Sequence, residues 1–144
     1  MINKLFYFLL VQFSLMLNAQ SPQFDWAKDY GDHGANNESS VKLTIGNDGS
    51  VYNIGSYRGT ADFDPSLSVS NLIAVGMTDI YFTKSDTAGN LIWAKSIGSF
   101  DFEFPKSIEV DSLGNVFVIG MFNNTCDFDP SNSSYFVTSS GAND

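Results

Sequence analysis

The chain opens on an apolar run and then changes to a different pattern. Lys4 precedes an uncharged, largely apolar stretch at residues 5–17, and Ala19 follows it. A positive residue, an apolar core and a small residue are the layout of a secretory signal peptide. The pattern predicts a signal-peptide helix at residues 1–19 that is removed by cleavage. The apolar run is shorter than the roughly 20 residues of a membrane-spanning helix, so no membrane span is expected after cleavage.

Short β-rich runs separated by turn signals follow the leader. Valine, isoleucine, threonine and aromatic residues dominate four of these runs, at residues 41–45, 51–57, 80–84 and 91–97. Such runs predict strands. Asn47-Asp48-Gly49 and the Gly-containing segment 86–90 predict hairpin turns, and residues 58–78 are expected to form one long connection. No 3.6-residue apolar period appears in this part of the chain, so the pattern favours an all-β fold.

The pattern occurs twice. The tripeptide Trp-Ala-Lys at residues 26–28 recurs 67 positions later at 93–95, and the tetrapeptide Asp-Phe-Asp-Pro at residues 62–65 recurs 65 positions later at 127–130. Several glycines recur at the same spacings. Self-similarity at a fixed period is the mark of repeat architectures, in which each unit buries its apolar face against its neighbours.

The second unit favours a particular repeat architecture. Residues 116–119 are continuously apolar, which is typical of a strand buried on both faces. Radially stacked, four-stranded antiparallel blades meet that requirement, so we predict a partial β-propeller of about one and a half blades plus one N-terminal strand. The predicted units are a lone outer strand, a first blade and a truncated second blade, at residues 24–30, 39–97 and 98–144 of an incomplete repeat region 20–144. An open, solenoid-like stack is the alternative.

The net charge limits the classes of binding partner, and the single cysteine limits the possible thiol chemistry. The net charge is −9, and such a chain is expected to repel nucleic acid and anionic lipid surfaces. Cys126 is the one cysteine, so no internal disulfide is expected. Without a basic neighbour in the sequence, this residue is expected to be a small buried apolar group and not a reactive thiol.

Two pairs of acidic residues are the candidate metal ligands. Asp62 and Asp64 are two residues apart, and Asp127 and Asp129 repeat the arrangement. In an extended segment alternate side chains project to the same side, so each pair has the oxygen ligands that Ca²⁺ prefers. Asp-Pro sequences also begin turns, in which the carboxylate accepts nearby backbone amides. Both roles remain open from the sequence, and calcium is the only cofactor that it suggests.

No catalytic set is recognisable. His33 is the only histidine, and it lies in a Gly-rich loop without a nucleophile or zinc motif. Trp26 and Trp93 lie within strand-like segments, where packing is favoured over a role as sugar-stacking platforms. The sequence therefore predicts neither a catalytic residue nor a firm cofactor site.

The recurring motifs resemble a known family. The second unit carries W-A-K at 93–95 with Gly98, D-x-x-G-N-V at 111–116, Gly120, Phe122, D-F-D-P at 127–130, Gly141 and Asp144. Together they resemble the SBBP-type β-propeller repeat of secreted bacterial proteins, over residues 24–144. The resemblance implies a propeller in an exported or surface protein, often of Gram-negative bacteria, and it does not imply one activity.

These observations predict a non-enzymatic, secreted or cell-surface scaffold that binds protein or carbohydrate. Its variable loops, at residues 58–78 and 99–106, are expected to make the contacts. One alternative is part of a polysaccharide-degrading propeller enzyme whose catalytic residues lie outside this fragment, and another is a calcium-stabilised structural module. A chain cut within its second blade is also expected to leave sheet faces uncovered and to aggregate.

Overall fold

The computed structural model describes residues 24–29 and 38–141, which contain ten β-strands and no helix. The strands are β1 (Ser39–Ile45), β2 (Val51–Tyr57), β3 (Thr60–Asp62), β4 (Asn71–Ile73), β5 (Asp79–Ser85), β6 (Leu91–Ile97), β7 (Phe104–Val110), β8 (Val116–Met121), β9 (Thr125–Asp127) and β10 (Phe136–Thr138). The all-β prediction is confirmed. The predicted signal peptide at residues 1–19 and the histidine at position 33 lie outside the described residues.

The first sheet has four antiparallel strands in the order β1-β2-β5-β6. Its register sets Ile54 of β2 opposite Phe82 of β5, and Phe82 opposite Lys95 of β6. The tight turns between its strands contain Gly49 and Gly89, with φ of 79° and 77°. Glycine adopts this left-handed region without a Cβ clash, which is why the sequence turns at these points.

Two small hairpins lie within connections. β3 pairs with β4 between residues 58 and 78, and β9 pairs with β10 in the second unit. The sequence interpretation treated residues 58–78 as a strandless connection, and this was wrong. Strands of three residues are too short to show a period-2 pattern.

The second sheet consists of β7 and β8, and it packs against one face of the first sheet. The core between the sheets contains Tyr52, Ile54, Ile80 and Phe82 from the first sheet and Ile108 from β7. A strand pair packed face to face on a four-stranded sheet is the arrangement of neighbouring propeller blades.

Trp93 closes the outer edge of this core. Its ring packs edge-on against Tyr52 and Phe82, with centroids 6.1 Å and 5.9 Å away. Aromatic pairs favour this edge-to-face geometry. This packing gives a structural role to Trp93, which is the first residue of the second Trp-Ala-Lys copy.

The opposite face of the first sheet carries a second core. Tyr57, Ala61, Phe63 and Tyr81 form it, and the β3–β4 hairpin folds over the sheet to supply two of them. At β1 this face is uncovered among the described residues, since Leu43 is 60% exposed.

The outer face of β8 is uncovered as well. Val118 packs against the first sheet, whereas Phe117 and Ile119 are 58% and 64% exposed. The prediction that residues 116–119 are buried on both faces is therefore wrong for the structure as described. The reason is that no further sheet among the described residues covers β8.

No strand is assigned within residues 24–29, where the sequence predicted an outer strand. Trp26 anchors this segment instead, because its Nε1 donates to the Thr87 carbonyl oxygen over 3.0 Å. Its ring lies so close to Gly89 that any Cβ there would meet it. Among the described residues, none belongs to a helix long and apolar enough to cross a membrane.

Candidate functional site

The two ends of the paired sheets differ. One end carries the tight turns at residues 46–50, 86–90 and 111–115. The other end carries the long connections that contain the two small hairpins and residues 98–103. We call this second end the loop end. Because binding residues concentrate on loops held by a rigid scaffold, the loop end is the place to look for function.

At the loop end, main-chain hydrogen bonds join the two sheets. Met77 donates its amide to the Asp101 carbonyl oxygen over 3.1 Å, and Glu103 donates to the Thr78 carbonyl oxygen over 2.9 Å. Thr78 and Phe102 also form an isolated β-bridge. These bonds fix the loop before β7 against the start of β5.

A groove of about 370 Å³ lies at this junction. Its lining residues are Ser39, Ser56, Arg58, Thr78, Phe102 and Phe104. Nε of Arg58 donates to Oγ1 of Thr78 over 3.1 Å. The rings of Phe102 and Phe104 are nearly parallel, at 10°, with centroids 6.2 Å apart. The groove therefore combines one cation, hydroxyl groups and flat apolar rings.

Two carboxyl groups are fully buried beneath the loop end. Asp79 accepts amide hydrogens from Val75 over 3.0 Å and from Gly76 over 3.4 Å. Glu103 accepts from the Ser99 hydroxyl over 2.5 Å and from the Ser99 amide over 3.0 Å. Since each oxygen already has a protein donor and neither residue reaches solvent, this pair is not placed to act on a substrate.

Burial is the main influence on the pKa of both carboxyl groups. Loss of solvent raises the pKa of Asp79 above its ordinary value, although its two backbone donors oppose the rise. Loss of solvent also raises the pKa of Glu103, and the negative charges of Asp79 and Asp101 raise it further. Burial at the junction between the sheets therefore makes both carboxyl groups harder to ionise than they are in water.

Cys126 lies in the same buried region, as the sequence predicted. It has no exposed surface, and burial, with the charges of Glu103 and Asp79, raises its pKa to about 12. A thiol with such a pKa holds its proton at neutral pH and is a poor nucleophile. The side chain is a packing group.

The acidic residues of the Asp-Phe-Asp-Pro motifs hold their hairpins. Oδ1 of Asp62 accepts amide hydrogens from Asp64 over 3.0 Å and from Ser70 over 2.8 Å. Oδ1 of Asp127 accepts in the same way from Asp129 over 3.1 Å and from Tyr135 over 2.8 Å. One carboxylate in each repeat thus joins the two sides of its loop, which is the turn role.

The second acid of each motif continues the turn. Asp64 accepts the amide hydrogen of Ser66, and Asp129 that of Ser131, both over 2.9 Å. The Ser66 hydroxyl and amide lower the pKa of Asp64. Within residues 24–29 and 38–141 no group of three or more His, Cys, Asp or Glu side chains is placed to hold a metal ion. Calcium binding by the paired acids stays a prediction.

The groove was not found from the sequence. Arg58 is the only arginine in the chain, and this was the one available signal. Its partners Thr78 and Phe102 are distant in sequence, and only the pairing of the two sheets brings them together. For Glu103 the sequence did contain a signal, because this glutamate is repeated. Glu38 precedes it by 65 positions, the spacing that also separates the two Asp-Phe-Asp-Pro motifs.

Comparison with known proteins finds a repeat protein. The chain is 30% identical over 111 residues to an uncharacterised WD repeat-containing protein of Acanthamoeba polyphaga mimivirus. The match covers 67% of this chain and 8% of the length of that protein. No protein-family model matches the chain, and no solved structure matches it. With the stacked antiparallel sheets, this similarity indicates a β-propeller-like repeat protein.

Proposed function

We propose that the chain belongs to an exported, non-enzymatic β-propeller scaffold of the SBBP type that binds protein or carbohydrate at its loop end. The observation that carries the proposal is the asymmetry of the two ends. Among the described residues, the tight turns that join the long strands lie at one end, and the groove with Arg58 lies at the other. A rigid core with variable long loops on one side is a common design for recognition.

The absence of a recognisable catalytic set in the sequence supports a binding role. The two buried carboxyl groups, Asp79 and Glu103, are occupied by protein donors and are fully buried. Catalytic acids and bases need access to a substrate. The exposed chemistry at the loop end is that of binding, with one guanidinium, hydroxyl groups and phenyl rings.

A binding screen tests the function. The purified protein is applied to an array of extracellular polysaccharides and to a surface-protein extract of a Gram-negative bacterium, with a panel of glycosidase substrates as the activity control. We expect saturable binding to a polysaccharide or a protein and no turnover of any substrate. Hydrolysis that survives repurification would contradict a scaffold, and so would the absence of binding to every ligand.

Export is a separate part of the proposal. Fusion of residues 1–30 to a periplasmic reporter, with secretion compared to a Leu9→Arg variant, tests it. We expect the reporter to be exported and its new N-terminus to begin after Ala19. Retention of the wild-type fusion in the cytoplasm would refute export without affecting the binding proposal.

A further inference from the structure

Among the residues that the structure describes, Arg58 has no acidic partner, although the protein is strongly acidic. The chain has 16 acidic and 7 basic residues. The two ion pairs among the described residues join Lys42 to Glu109 and Lys84 to Asp48. Arg58 is exposed and belongs to neither pair. A guanidinium matches a carboxylate with two parallel hydrogen bonds, so this side chain is available for an acidic group from outside.

The guanidinium is also held in place. Its Nε donates to Thr78 Oγ1, and that hydroxyl donates to the Met77 carbonyl oxygen over 2.8 Å. Thr78 is only 8% exposed, so the contact is a fixed point. The two Nη groups make no hydrogen bond to any residue that the structure describes. One edge of the guanidinium is thus oriented by the protein, and the other remains for a ligand.

The rest of the groove has the chemistry of a sugar site. Ser39 and Ser56 add two hydroxyl groups to that of Thr78. Phe102 and Phe104 add nearly parallel rings, and Phe104 is 41% exposed. Sugars present C–H faces that pack on aromatic rings and hydroxyl edges that bond polar side chains. The volume of about 370 Å³ falls in the range of roughly 300–1,000 Å³ that small-molecule sites occupy.

The second unit shows that the fold does not need these side chains. At 65 positions after Arg58, Ser56 and Ser39 the chain has Asn123, Met121 and Phe104. A cation and hydroxyl groups required by every blade would recur with the repeat, as the Asp-Phe-Asp-Pro motif does. Their presence in one unit alone indicates a role specific to this junction.

We propose that the groove binds a carboxylate-bearing sugar, such as a hexuronic acid residue of an acidic polysaccharide. Arg58 pairs with the carboxylate, the hydroxyl groups of Ser39 and Ser56 bond the sugar hydroxyls, and the phenyl rings cover a C–H face. The inference rests on the proposed binding function and names its ligand class.

An acidic peptide would also satisfy Arg58, but the groove favours a sugar. A bound peptide chain is usually held by free backbone groups. Here the Met77 amide and the Thr78 carbonyl oxygen are already bonded to Asp101 and Glu103. The polar groups that remain in the groove are side-chain hydroxyls, which suit sugar hydroxyls.

The test uses trigalacturonic acid as the probe and its fully methyl-esterified form as the uncharged match. Calorimetry at 0.15 M salt limits repulsion by the net charge of the protein, because the Debye length is then about 8 Å. We expect the acid to bind and the ester to bind at least about 10-fold more weakly. Equal binding of the two probes, or no binding of the acid, would overturn the inference.

Variants locate the site. Arg58→Ala is expected to weaken the binding of trigalacturonic acid by about 10- to 100-fold, and Arg58→Lys by less, since a lysine keeps the charge but loses the paired geometry. Lys95→Ala is the control, because Lys95 is an exposed cation on the outer strand β6. Unchanged binding by Arg58→Ala, with a normal melting temperature, would place the site elsewhere.

Two further outcomes separate this inference from the proposed function. If a hexaglutamate peptide competes as strongly as the sugar, the ligand class is wrong while the scaffold role stands. If the protein captures neutral glycans or a surface protein but not trigalacturonic acid, the groove proposal alone fails. The proposed function fails only when the broader screen finds no ligand at all.

Discussion

Phe63 lies at the centre of the aromatic cluster that attaches the β3–β4 hairpin to the first sheet. It has no exposed surface, and its ring lies 5.5 Å from that of Tyr57 and 4.6 Å from that of Tyr81. Phe63→Ala is expected to lower the free energy of unfolding by about 3–5 kcal/mol, because the cavity cannot be filled by its neighbours. Denaturant unfolding measures the change.

Leu67→Ala is the matched control, since Leu67 is in the same connection and is fully exposed. We expect a change of less than about 0.5 kcal/mol. Phe128 holds the same motif position in the second unit, but it is 36% exposed, and its one aromatic contact among the described residues is with Phe122, at 4.9 Å. Phe128→Ala should therefore cost less than Phe63→Ala, and equal costs would refute this account of the cluster.

At the residue scale, the sequence predicted roles where a motif repeats. Phe63, between the two acids of the first motif, is a buried anchor. Arg58 and Glu103 were missed, since their roles depend on contacts between the two sheets. Burial of an acid is also counter to the usual preference, and composition alone does not reveal it.

The Asp-Phe-Asp-Pro motif holds the small hairpins together through its acids, and substitution of these acids tests that role. Asp62→Ala removes the acceptor for the amides of Asp64 and Ser70. Loss of this acceptor is expected to destabilise the protein by about 1–3 kcal/mol. Asp129→Ala, which removes a single acceptor for the Ser131 amide at an exposed site, is the milder comparison.

Calcium addition to the same proteins tests the predicted metal site. If the paired acids bind Ca²⁺, the melting temperature of the wild-type protein rises with calcium and falls back with chelator, and Asp62→Ala reduces the rise. Equal melting temperatures in calcium and in chelator would rule out the predicted site. The turn role would then be sufficient to explain the motif.

At the scale of elements, strand positions followed from the sequence and small hairpins did not. The first sheet spans residues 39–97 with the predicted run of four strands. The three-residue strands were missed because their pairing is set by side-chain bonds within the loop, such as those of Asp62. The segment at residues 24–29 contains a repeated motif, yet it is held by Trp26 instead of by strand pairing.

At the scale of the whole molecule, the uncovered face of β8 predicts self-association. Phe117 and Ile119 are exposed side by side on this face, and exposed apolar patches promote contacts between proteins. Phe117→Lys with Ile119→Lys is expected to reduce association, measured by sedimentation velocity over a range of concentrations. Leu113→Lys, in the tight turn before β8, is the control and should change little. A wild-type protein that stays monomeric at every concentration would contradict the prediction.

The buried carboxyl group of Glu103 gives the junction between the sheets a pH dependence of a particular sign. Burial raises its pKa, the hydrogen bonds from Ser99 oppose the rise, and the charges of Asp79 at the start of β5 and Asp101 in its own loop add to it. A raised pKa in the folded protein means that the folded state binds the proton more tightly. Proton binding by Glu103 therefore stabilises the folded state. This contribution is complete below the ordinary pKa of 4.5 and is lost as the pH rises through the folded-state pKa.

Glu103→Gln removes this titration while keeping an acceptor for the Ser99 amide and a donor for its hydroxyl. The melting temperature of the wild-type protein is expected to fall relative to that of the variant as the pH rises above 4.5. Glu109→Gln removes a carboxyl group whose pKa is shifted in the opposite direction, because the Lys42 side chain lowers the pKa of Glu109. Its exposed ion pair stabilises the protein only weakly, and it does so above the ordinary pKa of the acid. A wild-type and Glu103→Gln difference that does not change with pH would show that Glu103 binds no extra proton in the folded protein.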